Sequence, residues 1–126
     1  MSGVARGGWR LPARIGVLLL IIAGLTVWRV FAVWHLDLEL YADEAQYWSW
    51  SLAPDWGYYS KPPMVAWLIA LSTRLFGDAE LGVRAATFLI WPLTALGIHL
   101  LARRLFEAEP WAERAAFWSA VAFACL

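Results

Sequence analysis

From Ile15 to Trp34 the chain reads IGVLLLIIAGLTVWRVFAVW, with Arg29 as its single charge. A run of about 20 apolar residues forms a helix long enough to cross a hydrocarbon core of roughly 30 Å. Arg29 lies near the far end, where a long side chain is expected to snorkel to the interface. The composition fits the same class. Of 126 residues 62% are hydrophobic and 16% charged, against about 25% charged in a soluble domain. Ten basic residues balance ten acidic ones, so no basic surplus exists to neutralise phosphates, and nucleic acid is excluded as a partner. Cys125 is the lone cysteine, which rules out a disulfide within the chain and leaves the redox compartment open.

Arginines set the expected topology. Arg6, Arg10 and Arg14 precede the first run with no acidic residue among them. A secretory signal starts this way too, but Val33, Trp34 and His35 follow where small residues would mark a cleavage site. The reading is an uncleaved anchor: residues 1–14 cytoplasmic, 15–34 a first span. The next stretch carries Asp37, Glu39, Asp43, Glu44 and Asp55 against Lys61 alone. Scarce in Lys and Arg, residues 35–80 are expected outside, in the periplasm of a bacterial cell. Within them, Pro62 to Phe76 is apolar but only about 22 Å long as a helix, so it is expected at the outer interface, ending at Gly77-Asp78; the alternative, a thin tilted span, inverts the topology of everything downstream.

Residues 81–102 form the second expected span, with Arg84 at its outer end and Pro92 near its middle, where a kink is expected. Arg103, Arg104 and Arg114 place residues 103–111 in the cytoplasm. Residues 112–126 read as the start of a third span that stops in mid-run, as in an N-terminal fragment of a longer membrane protein. The fold class is therefore all-α: polytopic membrane helices with juxtamembrane helices in the first outer loop. Membrane lipids are the surrounding partner.

The outer loop holds the residues that apolar spans do not explain. Asp43 is placed to cap a helix starting at Glu44 and running to about Ala53, with Gln46 completing a capping box. Pro54-Asp55-Trp56-Gly57 reads as a turn, and Pro62-Pro63 as the start of the next helix. Two adjacent carboxylates thus stand at one helix start and one ammonium, Lys61, at another. Removing a hydroxyl proton while expelling a phosphate needs these two kinds of group. Spacing alone favours the plain readings: Asp43 as a cap, Glu44 as a helix-dipole acid and Lys61 as an interfacial anchor. Trp56, Tyr58 and Tyr59 are candidate sugar or lipid contacts, although with Tyr41, Tyr47, Trp48 and Trp50 they also fit an aromatic belt. His35 and His99 are isolated; no metal-ligand set is visible, and metal dependence stays open.

The run Ala42-Asp43-Glu44-Ala45-Gln46-Tyr47-Trp48, followed by Asp55-Trp56-Gly57-Tyr58-Tyr59-Ser60-Lys61-Pro62-Pro63, resembles the first outer loop of bacterial GT-C membrane glycosyltransferases. The similarity is to the protein O-mannosyltransferases and the lipid A aminoarabinose transferases, and it extends over about residues 12–126. Leu75-Phe76-Gly77-Asp78, Arg84 and Arg103-Arg104-Leu105-Phe106 fall where that superfamily has similar residues. The resemblance implies an inner-membrane enzyme that moves a sugar from a polyprenyl-phosphate donor to a lipid, glycan or protein acceptor on the outer side, inverting the anomeric centre. It implies a catalytic pair: Asp43 as the acid at the reaction centre, the base that activates the acceptor, and Glu44 beside it, orienting it or helping to bind acceptor or metal, with Lys61 as the holder of the donor phosphate. Some relatives carry Glu before Lys-Pro-Pro; Ser60 stands there in this chain, and that acid's role is not carried over. The isolated piece is expected to be inactive. The competing readings are a non-enzymatic membrane protein, either a transporter segment or an assembly partner, and a short protein with a vestigial loop. Transport places ionisable groups near the midplane; the charges of this chain gather in loops and at span ends.

Overall fold

A computed structural model describes residues 13–36 and 39–126. The expectations for Arg6, Arg10 and Asp37 lie outside the described residues. Five helices follow in order: α1 (Ala13–His35), α2 (Ala42–Ser51), α3 (Met64–Phe76), α4 (Glu80–Leu105) and α5 (Ala112–Ala124). Among the described residues there is no strand.

Two helices, Arg14–His35 and Glu80–Leu105, are long and apolar enough to cross a membrane. Helix α4 has 26 residues, on the order of 39 Å of axial length. Pro92 lies inside it without ending it. A proline removes one backbone N–H but leaves the φ that a helix needs. Helix α3, with 13 residues, reaches only about 20 Å and is too short to span.

Helix α4 is the hub, packing against α1, α3 and α5, while α2 packs on α3. The core is thin. Leu18 and Ile22 of α1 meet Ala95 of α4 and Ala120 of α5, with Trp91 and Phe117 packed at its edge. Ala112, Ala116, Ala120 and Ala124 recur every fourth residue of α5 and are all buried. Side chains this small let two helices approach closely, which is how helices associate where lipid removes the hydrophobic drive. Large apolar side chains point outward instead, among them Leu20, Val27, Trp28, Leu89 and Leu93. In water that surface would be a liability; against lipid tails or further helices it is not.

Arg29 has a partner within the bundle. Its guanidinium lies over the Trp91 ring of α4, 3.8 Å from the centroid. The cation–π contact gives the charge a partner inside the helix pair and ties α1 to α4.

The turn from α3 into α4 depends on two glycines. Gly77 ends α3 with φ of 88°, a region that other residues rarely adopt. Gly82, in the first turn of α4, sits so close that a Cβ there would overlap the Gly77 carbonyl oxygen and lie 3.0 Å from its carbon. The obstacle is backbone and cannot rotate away. Gly82→Ala is therefore expected to displace α3 from α4 and to destabilise the fold by about 1–3 kcal/mol, read as a lowered melting temperature of the detergent-solubilised protein. The conservative control Gly97→Ala, a mid-helix position with nothing within 4 Å of an added Cβ, is expected not to lower it.

Candidate functional site

Helices α2 and α3 lie at the end of the bundle marked by the C-terminus of α1 and the N-terminus of α4. The start of α2 differs from the expected one. The helix begins at Ala42 with Tyr41 as N-cap and ends at Ser51. Asp43 is thus its second residue, not its cap, and Glu44 takes the third position that Gln46 was expected to hold. The Glu44 carboxylate folds back to accept the Tyr41 backbone N–H at 3.0 Å. A carboxylate three residues past the N-cap reaches that donor, whereas a side chain two positions later does not.

Glu44 has a second, stronger partner. Arg84, from the second turn of α4, donates through Nε to Oε1 at 3.0 Å and through Nη2 to Oε2 at 2.6 Å. The same Nη2 donates to the Glu39 carbonyl at 3.1 Å. This fork grips the chain on both sides of the α2 start. The Arg84 side chain is only 11% exposed and that of Glu44 33%, so the pair is partly withdrawn from solvent, where such bonds are strongest. The Arg84 guanidinium hydrogen bonds hold the Glu44 carboxyl below the usual carboxylate range, with burial opposing and the Tyr41 N–H adding to the effect. Nothing in the apolar pattern of α4 flagged Arg84 as a site residue. The signal was available as a cation in the first turns of an otherwise apolar span, facing a loop rich in acids.

Asp43 faces the other way. Its Oδ1 lies 3.4 Å from Lys61 Nζ, with the Asp43 side chain 77% exposed and that of Lys61 31%. Lys61 also lies over the Tyr47 ring, 4.7 Å from its centroid. The Tyr47 side chain first, then the Asp43 carboxylate, raises the lysine above its usual range. Lys61 is therefore a fixed cation at neutral pH, bordered by an aromatic face and an open carboxylate.

The loop between α2 and α3 keeps Lys61 there. Tyr58 stacks on Trp50 at 4.8 Å with planes 5° apart. Its hydroxyl donates to the Trp50 carbonyl at 2.9 Å and accepts the Asp55 N–H at 3.0 Å. The Trp67 indole of α3 donates to the Asp55 carbonyl at 2.9 Å. Tyr58 is thus committed to holding the loop. Trp56 leans edge-on against Trp67 yet is 85% exposed, and Tyr59 is fully exposed; of the three candidate contacts Trp56, Tyr58 and Tyr59, these two are the open ones. Helix α3 begins at Met64 with Pro63 as its N-cap, two residues later than the start expected at Pro62, so Lys61 stands three positions before its first residue. Among the described residues no group of three or more His, Cys, Asp or Glu converges where a metal ion would be held.

Acid sensitivity follows from the Glu44 clasp. A carboxyl held below its unfolded value stabilises the fold fully above about pH 4.5 and progressively less as pH falls through the lower folded value. Glu44→Gln is expected to cost about 1–2 kcal/mol at pH 7, a modest figure because the pair is partly exposed. In melting curves taken from pH 7 to pH 3, the variant should start lower and lose less on acidification than the native protein.

Comparison with known proteins places the chain. Residues 60–126 match the family described as Dolichyl-phosphate-mannose-protein mannosyltransferase. The chain is 44% identical to the lipid A galacturonosyltransferase RgtD of Rhizobium johnstonii over 96 residues, covering 74% of this chain and 20% of the relative. It is 34% identical over 110 residues to undecaprenyl phosphate-alpha-4-amino-4-deoxy-L-arabinose arabinosyl transferase 2 of Pseudomonas fluorescens, covering 81% of this chain and 19% of the relative. The chain thus spans about a fifth of the length of these curated relatives. No solved structure matches it significantly.

Proposed function

The chain belongs to the dolichyl-phosphate-mannose-protein mannosyltransferase family, and from that premise we propose that it forms the donor-phosphate and base-bearing part of an integral membrane glycosyltransferase. The enzyme takes a sugar from a polyprenyl-phosphate carrier. The acceptor class we favour is a lipid of the lipid A type, a reading supported by the names of the relatives, which modify lipid A or use an undecaprenyl-phosphate sugar. Neither galacturonic acid nor aminoarabinose is assigned as the sugar. The loop of residues 35–80 faces the periplasm and the α4–α5 connection the cytoplasm of a bacterial inner membrane. Arg103 and Arg104 at the far end of α4 support this orientation.

One observation carries the proposal: Asp43 and Lys61, 18 residues apart in sequence, stand 3.4 Å apart where two potential spans end. In the reaction, the acceptor hydroxyl oxygen bonds to the anomeric carbon of the sugar from the face opposite the phosphate. The bond from that carbon to the phosphate oxygen breaks, and its electron pair leaves with the polyprenyl phosphate. The hydroxyl proton passes to the Asp43 carboxylate. Lys61 offsets the charge that builds on the departing phosphate. Before donor arrives, Lys61 is paired with Asp43; a phosphate taking the ammonium leaves the carboxylate free to accept a proton. Trp56 and Tyr59 offer open aromatic faces on the same loop for a sugar or a prenyl chain.

The test uses the full-length protein with undecaprenyl-phosphate sugars as donors. Asp43→Asn is expected to insert normally and to lower kcat by about 10²–10⁴-fold; near-normal turnover removes Asp43 from the mechanism. Lys61→Ala is expected to raise the donor KM roughly ten- to hundredfold, and an unchanged donor KM removes Lys61 as the phosphate holder.

A further inference from the structure

Asp43 and Glu44 are adjacent carboxylates on one helix, and only one of them faces Lys61. Successive residues of an α-helix point about 100° apart, so a rotation of α2 by one residue would exchange their positions. Something must fix which acid is presented. Packing on α3 is one candidate, since Ala45, Tyr47, Trp48 and Trp50 are half-buried and Ser51 is buried, but these residues follow the first turn that carries the two acids. Arg84 is a strong one. It holds Glu44 through both carboxylate oxygens and the Glu39 carbonyl through Nη2. Those two points lie on either side of the α2 N-terminus, and Glu44 also closes on the Tyr41 N–H. Three attachments within six residues set the rotation of the helix as well as its place. Arg84 is itself anchored, since the close approach of Gly82 to Gly77 fixes the first turn of α4 against the end of α3.

We propose that Arg84 is a positioning residue: by taking Glu44 into a forked ion pair, it sets the rotation of α2 so that Asp43, and not Glu44, is the carboxylate presented to Lys61. The inference rests on the reading of Asp43 as the base and adds a residue outside the loop motif. Arg84 acts through Glu44 and not on the donor, so its loss misaligns the base without removing the phosphate holder. A lysine at the same place keeps the charge but cannot form the fork.

The experiment compares Arg84→Gln and Arg84→Lys with Asp43→Asn in the full-length protein. Two readouts are taken: transfer kinetics, and binding of undecaprenyl phosphate alone. Arg84→Gln is expected to lower kcat about 100-fold, the scale of a small misplacement of a catalytic group, with undecaprenyl phosphate affinity and donor KM unchanged. Arg84→Lys is expected to recover part of the lost kcat. An Arg84→Gln protein that keeps native kcat overturns the proposal. So does one that loses undecaprenyl phosphate affinity as Lys61→Ala does, because Arg84 would then be a phosphate ligand. If Arg84→Gln fails to insert, Arg84→Lys carries the same kcat-against-KM comparison alone. Full activity of Asp43→Asn would sink the underlying reading instead, so the two failures are separable. A third readout is independent of turnover. With cysteines placed at Asp43 and Lys61 in an otherwise cysteine-free protein, a short bis-methanethiosulfonate should link the pair more slowly when Arg84 is Gln; an equal rate counts against the clasp.

Discussion

The forked ion pair between Arg84 and Glu44 joins two parts of the chain that nothing else on α2 binds so firmly. Helix α2 is short, with Ala45, Tyr47, Trp48 and Trp50 half-buried and Ser51 buried; packing seats it on α3, and a tie to α4 needs a further reason. Arg84 supplies that reason from α4, the helix on which α1, α3 and α5 also pack. Bidentate geometry matters here because it fixes direction as well as distance. A single ammonium would keep the charge but hold the direction of the helix less firmly.

The two acids have different surroundings. Glu44 is consumed structurally, paired with Arg84 and with the Tyr41 N–H. Asp43 is left open to solvent beside a cation that a phosphate can claim. The aromatics are divided in the same way. Tyr58 and Trp67 are committed to the loop backbone, while Trp56 and Tyr59 remain exposed. The site thus has a held half and an open half.

The bundle beneath is held by close approach more than by a large core. Alanines at every fourth position of α5 and the Gly77–Gly82 contact bring backbones together. Arg29 on Trp91 adds a polar tie between α1 and α4. Much of the remaining apolar surface is unpaired within the chain. That suits a segment about a fifth as long as its relatives, with lipid or further helices to cover it.

The sequence by itself determined the apolar helices, the shortness of α3 and the loop that bears Asp43 and Lys61. Length and hydropathy decide these, and they are local properties that a neighbour does not alter. The start of α2 was legible only to within two residues, because residue type favours Asp43 as the cap whereas the observed start at Ala42 is the one that lets Glu44 reach the Tyr41 N–H and Arg84. The destination of Arg29 and the clasp of Arg84 were decided by tertiary structure alone. Each depends on a contact between helices, 40 residues apart for Arg84 and Glu44, and no spacing rule reaches across a fold. Which of two neighbouring carboxylates becomes the open one is a question of helix rotation, and rotation is set by what the other face of the helix is bonded to.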